Sequence, residues 1–239
     1  MAEITNEPCG VLIINKPQGP TSHDIVNRVR RLYSTKKVGH TGTLDPMATG
    51  VLVVLIGRAA KACEYSLSDR KKYTATLRLG VETDTEDTTG NILKEYPVNV
   101  TEKDVKDVLA SFKGKIKQIP PMYSALKVGG KKLCDIAREG GTVEREAREI
   151  EVYSISTEYI AGNDYKLVVE CSAGTYIRTL CADIGKALGC GGAMASLETM
   201  RPSGASEPAS IPPSWATWRA VRRFWPPIPS WATSIPCVW

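Results

Sequence analysis

Apolar and polar residues follow strand-like patterns in three stretches of the first third of the chain. Residues 10–17 (GVLIINKP) form a short apolar run that stops at Pro17, which predicts a strand. Residues 71–80 (KKYTATLRLG) alternate apolar and polar side chains, and this alternation predicts a half-buried strand. Residues 51–57 (VLVVLIG) are apolar throughout, so we expect a strand that is buried on both faces.

Three further stretches carry features of helices. Residues 21–33 place apolar side chains at helical spacing after a Thr-Ser cap. Residues 101–114 begin with an acidic turn and end in Gly, and residues 174–189 have a continuous apolar face. Residues 149–171 instead predict two strands around a Gly-Asn-Asp turn. Because strands arrive both as hairpins and between helices, we expect an α/β fold of the α+β kind, with a mixed, mostly antiparallel sheet flanked by helices.

The chain changes character near residue 197. All five tryptophans and eight of the fifteen prolines lie in residues 198–239, a segment that contains no lysine and no aspartate. This segment has no helical or strand period longer than a few residues, and a Pro-rich run of this kind rarely builds a core. We therefore expect one folded domain over residues 1–197 and an irregular tail over residues 198–239.

Composition excludes several classes of function. The 239 residues are 42% hydrophobic and carry a net charge of +5, which permits a polyanionic partner without requiring one. Seven scattered cysteines form no CxxC pair and only two histidines are present, so we expect no metal site and no disulfide framework. No apolar run approaches the roughly 18 residues of a membrane span, and the first residues lack a signal-peptide pattern. The expected location is the cytoplasm.

One loop concentrates small residues around a single acid. Residues 39–50 (GHTGTLDPMATG) hold Asp45, with His40 five residues before it. Aspartate before proline is a common turn residue, so an ordinary turn is one interpretation. The other interpretation is functional, because the glycines would let a second backbone approach closely and because catalytic groups often lie on loops held by a rigid strand.

Two other places could contribute to a site. Arg178 lies in the first turn of the helix predicted over residues 174–189, where the helix dipole disfavours a cation, and Tyr176 precedes it. Arg178 is either a solvated side chain or a group held to face a carboxylate. Tyr73 follows the cations at residues 70–72, an arrangement that suits a nucleobase above phosphates, although an ordinary strand tyrosine also fits.

Taken together and in order, these segments resemble the TruB family of bacterial tRNA pseudouridine synthases. The resemblance covers about residues 10–197. It is carried by several long segments in the order found in the family: NKPQGPTSHD, GHTGTLDPMATGVL, KKYTATLRLGVETDTED, IPPMYSALKVGGKKL and CSAGTYIRTLCADIGKALGCGG. Several ordered segments are far more specific than one short motif.

The resemblance implies a role for individual residues. Asp45 corresponds to the catalytic aspartate, Tyr73 to the tyrosine that stacks on the target base, and Arg178 to the arginine paired with the aspartate. Other residues correspond to positions that line the substrate site or, for the last two, support the active-site loop: His40, Tyr176, Leu197, Lys16 and Pro17. Asp87 falls in the acidic stretch of the family and receives no catalytic role.

The resemblance also implies a reaction and a partner. The family isomerises the uridine at position 55, in the T loop of tRNA, to pseudouridine, with no cofactor and no metal. The expected partner is therefore the T-stem loop of tRNA, bound by a monomer of the pseudouridine synthase fold. A paralogue acting on another RNA and a catalytically impaired tRNA chaperone of the same fold are the alternatives.

Two departures from the family pattern lie close to the predicted tail. Ala193 stands at about the position where the family has a histidine, and Glu198 and Thr199 stand where it has basic residues. The small RNA-binding domain that follows in the family is not recognisable in residues 198–239. We expect the catalytic residues to be retained and the affinity for tRNA to be reduced.

Overall fold

The strands form where the sequence alternates or concentrates apolar side chains. A computed structural model describes residues 7–64 and 70–200. Within these ranges the strands are β1 (Gly10–Lys16), β2 (Val38–His40), β3 (Thr49–Ile56), β4 (Arg70–Leu79), β5 (Val81–Thr83), β6 (Ile92–Glu95), β7 (Gly114–Gln118), β8 (Lys127–Val128), β9 (Lys131–Lys132), β10 (Arg148–Ala161), β11 (Asp164–Ser172) and β12 (Gly192–Met200).

Two of the described helices begin at a threonine whose side chain accepts a hydrogen bond from a backbone N–H group of the first turn. The helices are α1 (Ser22–Leu32), α2 (Glu102–Ser111), α3 (Leu133–Arg138) and α4 (Ile177–Ala187), and a 3-10 helix spans Gly57–Glu64. Thr21 and Asp24 form a reciprocal capping box at α1, and Thr101 and Asp104 form the same motif at α2. The predicted helices are therefore confirmed, each within a few residues of its expected ends.

The chain forms two compact units. Among the described residues, the first comprises residues 7–64 and 198–200, and the second comprises residues 70–197. Strand β12 extends past the boundary expected at residue 197, as far as Met200. The rest of the predicted tail, residues 201–239, lies outside the described residues.

Strand β3 is the centre of the first unit. It pairs antiparallel with β1 from Gly50 to Ile56, and its last three residues pair antiparallel with β2. Thr49 and Gly50 pair in parallel with Glu198 and Thr199. The expectation of two buried faces over residues 51–57 holds from Val54 onward but fails at Val51 and Val53, which are half-buried and lie on one face of the strand.

The sheet of the second unit is antiparallel from β4 to β7. Its strands follow the order β4, β11, β10 and β7, and β12 lies beside β4. Helix α4 buries its apolar face, and the core formed with the sheet includes Leu77, Leu167, Val169, Leu180 and Ile184. The mixed, mostly antiparallel α+β architecture expected from the sequence is therefore confirmed.

None of the described helices is both long enough and apolar enough to cross a membrane. Residues 7–64 and 70–200 contain no group of three or more histidine, cysteine, aspartate or glutamate side chains that could hold a metal ion.

Replacing Gly50 tests the close contact between β3 and Thr199 in the first unit. The φ of Gly50 is +100°, and a Cβ atom there would collide with the carbonyl oxygen of Thr199. Both the left-handed backbone and the clash with a neighbouring strand oppose any side chain. We predict that Gly50→Ala lowers the free energy of unfolding by about 3 kcal/mol, measured by urea denaturation.

Gly42→Ala is the matched control, because the φ of Gly42 lies outside the left-handed region and a Cβ atom added there would have nothing within 4 Å. It is expected to change the free energy of unfolding by less than about 0.5 kcal/mol. Equal effects of the two substitutions would show that the contact between Gly50 and Thr199 does not constrain the fold.

Candidate functional site

Asp45 lies in the first unit, on the aspartate loop (residues 41–48) that joins β2 to β3. Its side chain is half-buried, and its backbone carbonyl accepts a hydrogen bond from the N–H of Ala48 at 3.0 Å. The preceding residue, Leu44, is tied to helix α1, because its N–H donates to the Ser22 hydroxyl and its carbonyl accepts from that hydroxyl. The backbone on both sides of Asp45 is therefore fixed.

Lys16 reaches the same loop from the end of β1. Its side chain is completely buried, and its ammonium group donates to the carbonyl oxygens of Ala48 at 2.6 Å, Pro17 at 3.0 Å and Pro46 at 3.3 Å. The N–H of Gly19 donates to the Pro46 carbonyl as well, at 2.8 Å. A buried cation needs such partners, since an ammonium group without them is costly to remove from water.

The charge of Asp45 acts on Lys16. Burial lowers the pKa of Lys16, and the negative charge of Asp45 opposes this shift by favouring the ammonium form. The lysine therefore lies within electrostatic range of the candidate catalytic acid. Its hydrogen bonds to the carbonyls of Pro46 and Ala48 orient the aspartate loop.

His40 ends strand β2 in the same unit, paired with Val54. Its Nδ1 is buried and has no hydrogen-bond partner in the part of the chain that the structure describes. Burial lowers the pKa of His40, so the imidazole is neutral at pH 7. A neutral, half-buried ring next to the aspartate loop offers an apolar face with a polar edge.

The candidate residues of the second unit centre on Arg178, which lies in the first turn of α4 and is 5% exposed. Its Nη1 donates to the carbonyl of Thr85 at 3.0 Å, and its Nη2 donates to the carbonyl of Tyr123 at 2.8 Å. Its Nε lies 3.8 Å from Oδ2 of Asp87. The arginine is therefore buried rather than solvated, and the carboxylate beside it is that of Asp87, while its pairing with Asp45 stays a prediction.

Asp87 is a buried residue to which the sequence analysis assigned no role. It lies on the acidic loop (residues 84–91) between β5 and β6, and its Oδ1 accepts from the hydroxyls of Thr85 and Thr89 and from the N–H of Thr89. Oδ2 faces Arg178. The density of threonines around this acid was the available signal, because a buried carboxylate requires donors close by.

Glu86 has unusual backbone and side-chain surroundings. Its φ is +63°, which is uncommon for a residue with a side chain, and its carbonyl accepts from the N–H of Met194 at 3.0 Å. Its carboxyl group accepts a hydrogen bond from the Thr179 hydroxyl. Burial raises the pKa of Glu86, against the opposing effects of the Thr179 hydrogen bond and the Arg178 charge.

Tyr176 directly precedes α4 and is held by a second unanticipated residue. Gln118, at the end of β7, accepts from the Tyr176 N–H at 2.8 Å and donates to the Tyr176 carbonyl at 3.0 Å. Gln118 is 2% exposed, so these two bonds form away from water. They fix the backbone at the start of the helix that carries Arg178.

Tyr73 and Leu197 lie on strands of the second unit. Tyr73 is a half-buried residue of β4 opposite Val169 of β11, and Leu197 is an 8%-exposed residue of β12. The structure thus places the candidates in two groups, one in each unit. The first unit contains Lys16, Pro17, His40 and Asp45, and the second contains Tyr73, Tyr176, Arg178 and Leu197.

Comparison with known proteins gives the family. Residues 30–177 match the model described as TruB family pseudouridylate synthase (N terminal domain). The chain belongs to the TruB family. The match includes the aspartate loop, the acidic loop and the start of α4.

Relatives in the TruB family share about half of the aligned residues. The tRNA pseudouridine synthase B of Alkaliphilus oremlandii is 51% identical over 188 residues, which are 79% of this chain and 63% of that protein. The enzyme of the same name from Clostridium kluyveri is 49% identical over 191 residues, 80% of this chain and 66% of that protein. The chain therefore spans just under two thirds of the length of these relatives.

Solved structures share the TruB-type fold. A chain in the crystal structure of a Cbf5-Nop10-Gar1 complex matches with a TM-score of 0.63 and 34% identity, over 80% of this chain and 48% of that one. A chain in an H/ACA RNP bound to a substrate RNA containing 2′-deoxyuridine matches with a TM-score of 0.61 and 30% identity, over 83% and 49% of the two chains.

Lys16→Met tests whether the buried ammonium group holds the aspartate loop. Methionine keeps most of the side-chain volume but removes the ammonium donor from the carbonyls of Pro46 and Ala48, so that Pro46 retains only the N–H of Gly19. We predict a loss of about 3 kcal/mol in the free energy of unfolding, measured by urea denaturation.

Lys37→Met is the matched control, since Lys37 is an exposed lysine whose ion pair with Glu7 lies at the surface. Such a pair contributes less than about 1 kcal/mol. If Lys16→Met cost no more than Lys37→Met, the loop would not depend on the lysine.

Glu86→Gln tests the environment of the acidic loop through pH. Because the pKa of Glu86 is raised in the folded protein, its contribution to stability is fully present below its unfolded pKa and is lost as pH rises through its folded pKa. Glutamine has no charge to desolvate. The stability of Glu86→Gln relative to wild type should therefore increase from about pH 4.5 to about pH 7.5, measured by urea denaturation.

The control for this experiment is Glu95→Gln, at an exposed position of β6. Its stability relative to wild type should change little over the same range. A difference between Glu86→Gln and wild type that stays constant with pH would contradict the burial of an ionisable carboxyl group at Glu86.

Proposed function

We propose that this chain is a tRNA pseudouridine synthase that isomerises the T-loop uridine at position 55. The observation that carries the proposal is the aspartate loop, in which a half-buried aspartate lies on a backbone that is held by a buried lysine and by α1. The names of the relatives, tRNA pseudouridine synthase B at about 50% identity, support the same activity. RNA is also the ligand named for the RNP structure with the related fold.

The reaction is an isomerisation, so substrate and product contain the same atoms. The bond between N1 of uracil and C1′ of ribose breaks, the base turns, and C5 bonds to C1′. C5 loses its proton and N1 gains one, which balances the reaction without an oxidant or reductant. Asp45 acts either as a nucleophile at C1′ or as the base that removes a ribose proton, and both routes need an ionised, oriented carboxylate.

Arg178 is the proposed partner of that carboxylate. Its guanidinium group is buried and oriented by two backbone carbonyls and by Asp87. A guanidinium held in this way loses little conformational freedom when it binds a second carboxylate. In the proposal it keeps Asp45 ionised and directs one carboxylate oxygen to the ribose.

The other candidates enclose the base. A uracil stacked in an RNA loop cannot reach an active site, so it must be extruded into a pocket and held by stacking. Tyr73 is proposed to stack on it, and Tyr176 and Leu197 to line the pocket. His40, neutral at pH 7, would occupy the space next to the aspartate loop.

The proposed partner is the T-stem loop of tRNA, bound by a monomer in the cytoplasm. None of the described cysteines forms a disulfide, which suits a reducing compartment. Binding should weaken as salt rises, because basic side chains meet RNA phosphates.

Pseudouridine mapping on an unmodified tRNA transcript tests the proposal. Wild type should convert the T-loop uridine, and Asp45→Asn should lose at least about 1,000-fold in rate because asparagine supplies neither a nucleophile nor a base. Asp107→Asn, at an exposed position of α2, is the matched control and should retain the wild-type rate.

Binding to tRNA is measured in parallel. Conversion by wild type with binding retained in Asp45→Asn supports a catalytic aspartate. Binding without product in wild type would instead indicate a tRNA chaperone of this fold, and equal rates for Asp45→Asn and wild type would remove Asp45 from the mechanism.

A further inference from the structure

Helix α1 presents two different faces in the first unit. Its buried residues are Ser22, Ile25, Val26 and Val29. Three arginines lie away from this face: Arg28 and Arg31 are exposed, and Arg30 is half-buried. Nothing in the aspartate loop or in the proposed chemistry requires these cations.

These arginines border an open depression of about 820 Å³. Its lining consists of Gly19, Pro20, Asp24, Asn27, Arg28, Arg30 and Arg31. A Cβ atom at Gly19 would have nothing within 4 Å, so this side of the depression is open. The volume is large enough for a sugar and a phosphate, and three of its seven lining residues are arginines.

Acids offset only part of the positive charge of the depression. No carboxylate among residues 7–64 and 70–200 forms an ion pair with Arg28, Arg30 or Arg31 within 4.0 Å. The carboxylate of Asp24 accepts hydrogen bonds from the backbone and hydroxyl of Thr21. The three guanidinium groups and this one carboxylate leave a local charge of +2 among the residues that line the depression.

Arg30 is held in place, and its two neighbours extend outward. Nη1 of Arg30 donates to Asn27 at 3.1 Å and Nη2 donates to the Val38 carbonyl at 3.4 Å. Arg28 and Arg31 are one turn apart on the helix, so their guanidinium groups lie on the same side. A planar guanidinium group can donate two parallel N–H hydrogen bonds to the oxygens of one phosphate. This geometry suits arginine to binding the phosphates of a nucleic-acid backbone.

The distance from the aspartate loop identifies the part of the RNA that fits. Helix α1 starts at Ser22, which is hydrogen-bonded to Leu44 next to Asp45. With a rise of about 1.5 Å per residue, Arg28 lies about 9 Å and Arg31 about 14 Å along the helix from Ser22. The separation between the aspartate loop and these arginines corresponds to one or two nucleotides of an RNA strand whose target uridine lies at Asp45.

We propose that Arg28 and Arg31 form a phosphate-binding site for the RNA strand next to the nucleotide that enters the active site. The inference rests on the proposed function, because it takes the RNA substrate and the position of its target from there. The RNA backbone, rather than a free phosphate ion, fits a cationic surface that extends over more than one helical turn.

Equilibrium binding of tRNA tests the inference without requiring turnover. The double substitution Arg28→Gln/Arg31→Gln should raise the Kd about tenfold at about 100 mM salt and reduce the slope of log K against log salt by about 1.5. The matched control is Lys103→Gln/Lys106→Gln, which removes two exposed cations at the same spacing on α2 and should leave both quantities at wild-type values. Thermal unfolding and circular dichroism verify that each variant is folded.

The outcomes separate this site from the proposed activity. A folded arginine variant with the same Kd for tRNA and the same salt slope as the lysine control would overturn the phosphate site. That conclusion would hold whether or not wild type forms pseudouridine. It would also hold if the variant bound inorganic phosphate less well than wild type. Wild-type binding of tRNA that depends on both arginines, without pseudouridine formation, would support the site and contradict the activity.

Discussion

The buried ammonium group of Lys16 is the interaction on which the architecture of the candidate site depends. It joins the end of β1 to the carbonyl oxygens of the aspartate loop, and it lies within electrostatic range of Asp45. A cation with no exposed surface remains charged only if the backbone supplies acceptors, so the loop must adopt one arrangement around it. A loop rich in glycine and threonine thereby becomes a rigid support for one acid.

In the second unit, too, a buried cation is bonded to backbone carbonyls and holds loops in place. Arg178 is buried, two backbone carbonyls accept its protons, and Asp87 balances its charge while threonines of the acidic loop satisfy Asp87. In both units a buried cation fixes loops that have little regular structure of their own. Preorganisation of this kind is what electrostatic catalysis requires, since groups that are already oriented need not reorganise as charge develops.

Local patterns were sufficient to predict the main helices and the β10–β11 hairpin, because capping residues and turn residues act over a few positions. The prediction that β3 is buried on both faces fails at Val51 and Val53, because an apolar sequence does not reveal which neighbours cover each face. Gln118 and Asp87 were missed as supporting residues for a similar reason: Gln118 meets Tyr176 58 positions away, and Arg178 meets Thr85 across 93 positions. The candidate site residues came from the resemblance to a family, and their roles remain predictions.

A structure of the protein bound to a tRNA T-stem loop tests the central claim most directly. The quantity to measure is the distance from the Asp45 carboxylate to C1′ of the target uridine. A carboxylate oxygen within about 3.5 Å of C1′, with the Lys16 hydrogen bonds to the aspartate loop retained and Arg178 bonded to the other carboxylate oxygen, is the expected result. A carboxylate directed into solvent, or a uridine bound away from the aspartate loop, would contradict it.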